Sequence, residues 1–470
     1  MPMKEQHSKK QVSLIIAIAS FLAPFMISAT NIALPSIQAE FAAKAVTLSW
    51  VATSYLLSTA VFLVPAGKIA DIYGRKKLFM LGIIIFTLAS LFSAFVPAIH
   101  WLIGMRILQG MGGSIVMTTA VAILTSVFPP QERGKALGIN VSMVYIGLAS
   151  GPTLGGLLTA HLGWRSIFYM PVPLGVIIIL LTLYCLKGEW ADAQGESLDI
   201  PGSLIYAVSV ILVTYGLTLL PALSGLLYIV LGLLGAVAFV ASQLKARYPV
   251  FNVRVFKNNR VFAYSNMAAL INYGATAGVT FLLRLYLQYI KGMPPQTAGL
   301  VLIVQPIVQA LLSPTAGKLS DRIEPRLISS LGMGSTALGL FLLIFLTFET
   351  SLPYVITALI VLGIGFALFG SPNTNAIMGS VTRQYYGIAS GAVSTMRLLG
   401  QNFSMAMATL LITINLGDAP ISPSNYHLFL NSSRLSFGIF ALLCLIGIYF
   451  SYSRGRMHTQ STEEATEPKL

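Results

Sequence analysis

Charge is scarce in this chain: of 470 residues only 9% are Asp, Glu, Lys or Arg, against about 25% in a soluble globular domain. With 56% hydrophobic residues, the apolar content exceeds what a compact water-soluble fold can bury, so lipid is the expected solvent. Cysteine is nearly absent. Cys185 and Cys444 lie in or beside apolar runs, where a thiol acts as a small hydrophobe, and neither a disulfide nor a metal site is expected. No G-x-x-x-x-G-K-[ST] phosphate loop occurs, which excludes ATP as the energy source. Acids are missing from the long apolar runs: Glu40, Glu132, Glu349 and Asp418 fall in or beside loops, while Asp71 and Asp321 stand at the ends of runs.

The formal charge of +14 does not mark a nucleic-acid partner, because the basic residues are spread over short segments between apolar runs. Arg75, Lys76 and Lys77, the stretch 131–135, the stretch 245–260 and the stretch 318–326 carry them, whereas the alternate segments keep only Lys44, Lys291 and Arg434. That asymmetry is the positive-inside pattern, and it puts both termini in the cytoplasm. The N-terminal run after Lys4, Lys9 and Lys10 could pass for a secretory signal. Apolar runs continue to residue 453, so it is read as the first span.

A bilayer core of about 30 Å takes about 20 residues of helix, and continuous apolar runs exclude the alternation of a barrel. About fourteen spans are expected, near 12–34, 47–67, 78–97, 101–124, 136–160, 166–187, 200–219, 225–243, 261–289, 296–317, 327–347, 352–371, 385–415 and 435–453. The stretch 67–77, GKIADIYGRKK, is echoed by GKLSDRIEPR at 317–326, each entering a basic turn, as parallel repeats about an axis along the membrane normal would require. The organisation expected is an all-α membrane protein with a cytoplasmic segment 1–11, a six-helix bundle 12–187, an inserted helix pair with a linker over 188–260, a second six-helix bundle 261–453 and a disordered cytoplasmic tail 454–470.

GKIADIYGRKK resembles the loop pattern G-x-L-A-D-x-x-G-R-K of the major facilitator superfamily, and RILQGMGG (106–113) its fourth-span pattern. GLASGPTLGG (147–156) resembles the fifth-span signature of that superfamily's antiporters, and NIALPSI (31–37) the first-span ending of its fourteen-helix drug:proton antiporters; WRSIF (164–168) and LYLQ (285–288) extend the likeness. The resemblance implies two six-helix bundles, plus the inserted pair, that rock about a central site. It also implies that Gly67, Asp71, Gly74 and Arg75, with Asp321 and Arg322 in the echo, latch the halves on the cytoplasmic side. Arg106, Gln109 and Gly110 take a coupling or structural role by the same likeness. Gly147, Gly151, Gly155 and Gly156 fall on one face of a helix kinked by Pro152, which suits close helix contact; the resemblance puts that contact at the interface between halves. The stretches 332–339 and 363–370 lie inside apolar spans, so their glycines are read as packing surfaces rather than as a dinucleotide loop.

Arg106, Arg284 and Arg397 fall inside spans, each at a cost of about 2.5–3.5 kcal/mol at a helix centre, which favours a buried partner or a wet cavity. Arg106 and Arg397 match patterns of the resembled family; Arg284 does not, and is read either as a ligand contact or as a residue snorkelling to the outer face. Cation exporters of the resembled family carry a first-span carboxylate near the position of Met26; its absence here argues against cationic cargo. Asn31, Tyr55, Asn140, Asn272, Tyr273, Gln288, Gln305, Gln309, Asn373, Asn375, Gln401 and Asn402 stand at or near membrane depth. Together with Arg284 and Arg397 they are the candidates for the substrate path, some serving only as interhelical bonds. The reading is a monomeric transporter rather than an enzyme. It needs no cofactor or metal, draws on the proton gradient, and exports a neutral or anionic aromatic drug or metabolite across the plasma membrane. Uptake of a neutral or weakly acidic nutrient, such as the flavin-like vitamin riboflavin, is the alternative, and a non-transporting sensor the minor one.

Overall fold

The computed structural model describes residues 2–417 and 421–456; Asp418 and most of the expected tail lie outside them. Fourteen long helices run in order: α1 Pro2–Phe41, α2 Ala45–Tyr73, α3 Arg75–Ser93, α4 Ile99–Val127, α5 Pro130–Leu162, α6 Ser166–Cys185, α7 Ile200–Thr218, α8 Leu223–Lys245, α9 Arg260–Ile290, α10 Pro295–Ser320, α11 Pro325–Ile344, α12 Leu352–Gly379, α13 Tyr386–Leu416 and α14 Tyr426–Ser453. No strand occurs among the described residues. Thirteen of these helices are long and apolar enough to cross a membrane; α13, with Arg397, Gln401 and Asn402 along it, falls short by composition although it has 31 residues. Its packing against α9 and α2 makes it the fourteenth layer-spanning helix, polar because it is central rather than lipid-facing.

Boundaries differ from the sequence expectation in a regular way. α1 starts at Pro2 rather than near residue 12, α4 runs to Val127, and α12 continues through Pro372 to Gly379. Helical hydrogen bonding carries on past the apolar stretch, because the interfacial layer admits polar side chains and still favours an internally satisfied backbone. Local signals set the turns. Gly74 has φ +115°, which joins α2 to α3 without a helical overlap; Asp199 accepts from the Gly202 amide at 2.9 Å to start α7, and Asn259 accepts from Phe262 at 2.9 Å to start α9.

Helices α1–α6 form one bundle around Phe25, Phe79, Phe86 and Phe168; α9–α14 form the other around Leu282, Leu340, Phe429 and Phe440. Within the second, Gly332 of α11 and Gly365 of α12 back onto each other's carbonyls, so those glycine runs serve close packing. The halves meet where α5 crosses α10 and where α2 crosses α13, two crossings related by the internal repeat. α7 and α8 pack on each other, and α7 lies along α2 and α13. The Tyr206 hydroxyl of α7 donates to the Ala60 carbonyl of α2 and lies 3.0 Å from the Thr395 hydroxyl of α13, so one phenol touches both halves. α8 presents leucine and valine outward, Leu223 being 81% exposed, as a lipid-facing helix does.

Candidate functional site

The end of the bundle that carries Arg75, Lys76 and Lys77 is closed by two matching arrangements. At the α2–α13 crossing, a Cβ on Gly67 would strike the Gly387 carbonyl, and one on Gly387 the Gly67 carbonyl; at the α5–α10 crossing Gly134 and Gly317 stand in the same relation. Beside each crossing an aspartate reaches from one half to main-chain amides of the other. Asp71 accepts from Gly387 at 2.9 Å and Ile388 at 3.1 Å, near the start of α13. Asp321, just past α10, accepts from Gly134 at 2.6 Å and Lys135 at 3.0 Å. A carboxylate at a helix start is held both by those donors and by the helix dipole.

The two corners differ in their cations. Asp71 is fully buried and takes two bonds from Arg75, at 3.0 and 2.7 Å. Arg75 also reaches Ser126 at 2.8 Å, Asp192 at 2.9 Å and the main-chain carbonyl of Arg383 in the opposite half. Tyr386, at the start of α13, lies between Arg75 and Arg133, 5.3 and 5.6 Å from its ring centre, and its hydroxyl accepts from Arg133 at 3.3 Å. Arg322 takes no part: it is exposed, and Arg133 is the arginine near Asp321. Asn375, a cavity candidate by sequence, instead donates to Ser320 at 3.0 Å and Asp321 at 3.4 Å in this corner.

Sequence reasoning also missed the stretch after α6. Glu189 accepts from the Lys76 and Lys77 amides at 2.8 and 3.1 Å, Arg75 donates its amide to the Trp190 carbonyl, the Ala193 amide bonds the Asp71 carbonyl, and Glu196 pairs with Lys68. Three acids within eight residues opposite a basic turn were the available signal.

Burial in the closed corner pushes the Asp321 carboxyl above its ordinary range despite its amide donors and Arg133. A corner that binds a proton more readily than the open, hydrated carboxyl is favoured as pH falls, so acidification from pH 7 to 5 is expected to protect a cysteine in place of Ser313 from a maleimide supplied on the basic side. Asp321→Asn should lessen that pH effect; an unchanged pH response in the variant would refute it.

In the membrane interior Arg106 is 1% exposed. It donates to the Val51 carbonyl at 3.0 Å and to the Gln109 side chain, and lies 4.3 Å from the Tyr55 ring centre, while Gln109 reaches Ser90 at 2.7 Å. Gly110 lets α4 touch the Tyr55 carbonyl of α2. This is a sealed network inside the first bundle with no carboxylate. Gly147, Gly151 and Gly155 receive Phe21, Ser28 and Ala29 of α1, in the same half, so the expected contact at the interface between halves is corrected to a contact within one bundle. Gly156 makes no such approach, because Pro152 sits in a π-helical turn over Gly151–Gly155 that shifts the register.

Arg397 of α13 is a further cation at the junction of the halves, deeper than Arg75 and Arg133. Its guanidinium lies 5.7 Å from the Tyr145 ring centre of α5 and 5.2 Å from that of Tyr273 of α9. Tyr145 was not singled out from the sequence. Every contact joining the halves named above lies between the basic turns and this level; farther out, Asn31 and Arg284 are exposed, and Gln288, Gln305 and Gln401 are half-buried. Several of the remaining amides serve bonds within the protein. Asn140 accepts from Ser20, Gln309 from Gln305 at 3.0 Å, and Asn373 bridges Ser265 and Arg454 at 3.0 and 2.7 Å; Asn272 is buried, and Asn402 reaches Thr214 of α7 at 3.5 Å. These exposed and half-buried polar groups, with the aromatic-flanked Arg397 beneath them, make the space on the face away from the basic turns the candidate vestibule.

The family model described as Major Facilitator Superfamily matches residues 16–257 and 265–469. The riboflavin transporter RibZ of Clostridioides difficile is 31% identical over 93% of this chain and 95% of its own length, and the multidrug resistance protein Stp of Mycobacterium tuberculosis is 32% identical over 84% of this chain and 75% of its own. Among solved structures, the proton:xylose symporter XylE superposes with a TM-score of 0.69 at 12% identity, covering 98% of this chain and 99% of that one. The human organic anion transporter MFSD10 does so at 0.68 and 12%, over 94% and 99%; at such identity the fold alone is shared. With the family model matched along nearly its whole length, the chain belongs to the Major Facilitator Superfamily and is a multi-pass membrane transporter, not an enzyme.

Proposed function

We propose that this chain works by alternating access in the plasma membrane, with both termini cytoplasmic, and exports a neutral or anionic aromatic drug or metabolite in exchange for protons. The observation that carries the reading is the pair of aspartate-to-amide closures, Asp71 to Gly387 and Ile388, and Asp321 to Gly134 and Lys135. They release together if the bundles rock apart on that side. The short basic turns put the closed end in the cytoplasm, so the vestibule opens outward. Cargo that is not cationic fits the vestibule, whose floor is Arg397, which makes no ion pair among the described residues. The chain acts as a monomer, with no cofactor. One charge moving down 100 mV supplies about 2.3 kcal/mol, enough for roughly a fortyfold gradient. Asp71 is the gating carboxylate and the first residue to test as proton carrier. Accumulation of a labelled compound panel in inverted vesicles, with and without an uncoupler, tests the coupling. Accumulation that ignores the proton gradient would defeat it.

The length-wide match to a riboflavin transporter favours a second reading, uptake of a flavin-like vitamin through the same vestibule. Rescue of a riboflavin auxotroph by this chain would select it over export, and raised drug resistance on overexpression would select export.

A further inference from the structure

Arg284 is exposed near the outer end of α9 and engages no hydrogen bond or ion pair among the described residues. Helical spacing decides which way it faces. Eleven residues separate it from Tyr273, close to three full turns, so the two share one face, and Thr280, also exposed, lies on that face between them. Neighbouring helices occupy other faces of α9. Gly274 and Gly278 meet Phe403 and Ser404 of α13, Tyr264 packs on Phe450 of α14, and the Ser265 carbonyl accepts from Asn373 of α12. Arg284 therefore lines the vestibule, about 16 Å outward of the Arg397 level by helix rise. No acid among the described residues pairs with it. Among the described residues the only acids in the candidate membrane helices stand at helix ends: Glu40 is held by Trp164 and Arg165 at 2.7 and 2.6 Å, Asp71 is sealed in the latch, and Glu132 pairs with Lys9.

We propose that Arg284 is a specificity-determining residue that gives this transporter a preference for aromatic carboxylates over neutral and cationic compounds of the same shape. This rests on the transporter reading above. Two stations are needed because about 16 Å exceeds the screening length of about 8 Å at physiological salt: Arg284 raises the local concentration of the anion in the vestibule, and Arg397 receives its carboxylate at the floor, where Tyr145 and Tyr273 offer ring faces to its aromatic body. A guanidinium suits the task because its planar fork matches a carboxylate and keeps its charge at any working pH.

The test is counterflow in proteoliposomes with 2-naphthoate, 2-naphthamide and 2-naphthylmethylamine. The wild type should carry naphthoate best. In Arg284→Gln the naphthoate-to-naphthamide ratio should fall roughly tenfold, the size of one lost charge-assisted contact, whereas Arg284→Lys should restore most of it. Raising salt from about 50 to about 500 mM should erode the wild-type ratio and leave that of Arg284→Gln nearly flat, a response a purely structural role would not give. If Arg284→Gln keeps the wild-type ratio and salt response, the assignment is overturned while transport itself stands. If the wild type carries naphthylmethylamine best, or none of the three, the proposed cargo class falls with it.

Discussion

Replacing Asp71 by asparagine is expected to lower transport at least a hundredfold while the protein still inserts and folds. The carboxylate is fully buried and meets two bonds from Arg75 and two amides of the opposite half. An asparagine has one acceptor oxygen, turns an NH2 group toward an N–H donor and leaves Arg75 without its buried partner. Breaking a buried pair in this way costs about 3–5 kcal/mol, and the cost falls on the closed state alone, since the open gate exposes these groups to water. At about 1.4 kcal/mol per tenfold, the closed state loses its population. Maleimide labelling of Thr280→Cys from the outer face, measured beside vesicle transport, reads that loss. Labelling and transport at the wild-type level in the Asp71→Asn background would show that the pair is ornamental.

Valine in place of Gly317 or Gly67 is expected to have an effect of similar size by a different physical route. At both positions a Cβ meets a main-chain carbonyl, of Gly134 and Gly387 respectively, which can retreat only if the whole helix does. Polar bonds remain available, yet the helices cannot approach closely enough to make them, so the latch amides lose their aspartates. Gly104→Val is the matching control, because nothing lies within 4 Å of a Cβ there. Transport should fall at least a hundredfold in Gly317→Val and stay within about threefold in Gly104→Val, as surface substitutions usually do. Equal behaviour of the two variants would remove the crossings from the mechanism.

The fold was legible because its signal is long. Some twenty apolar residues at a stretch specify a span without reference to any partner. α13 is the instructive exception, since Ser390, Thr395, Gln401 and Asn402 dilute its hydropathy for the reason that makes it central. Part of the latch was legible too: Gly67, Asp71, Gly74 and Arg75 sit within nine residues, so the motif contains its own geometry. What it grips was not. Tyr386 lies more than 300 residues from Arg75, Glu189 and Asp192 come from the connection after α6, and Arg133 rather than Arg322 serves the second corner. Such partners depend on how helices cross, which no local spacing encodes. The amides fared worst. An asparagine at membrane depth reads the same whether it is exposed, as Asn31 is, braces Arg454, as Asn373 does, or joins the latch, as Asn375 does.

The phenol of Tyr206 carries a consequence for the extra helix pair. Since its oxygen is held by Ala60 on one side and Thr395 on the other, any rocking that separates α2 from α13 must cost it one of those two attachments, and α7 then travels with whichever bundle keeps its grip. In such a motion the pair would act as a sliding gasket along one seam, shutting acyl chains out of the pathway, and would leave the opposite α5–α10 seam as the flank that has to keep lipid out unaided.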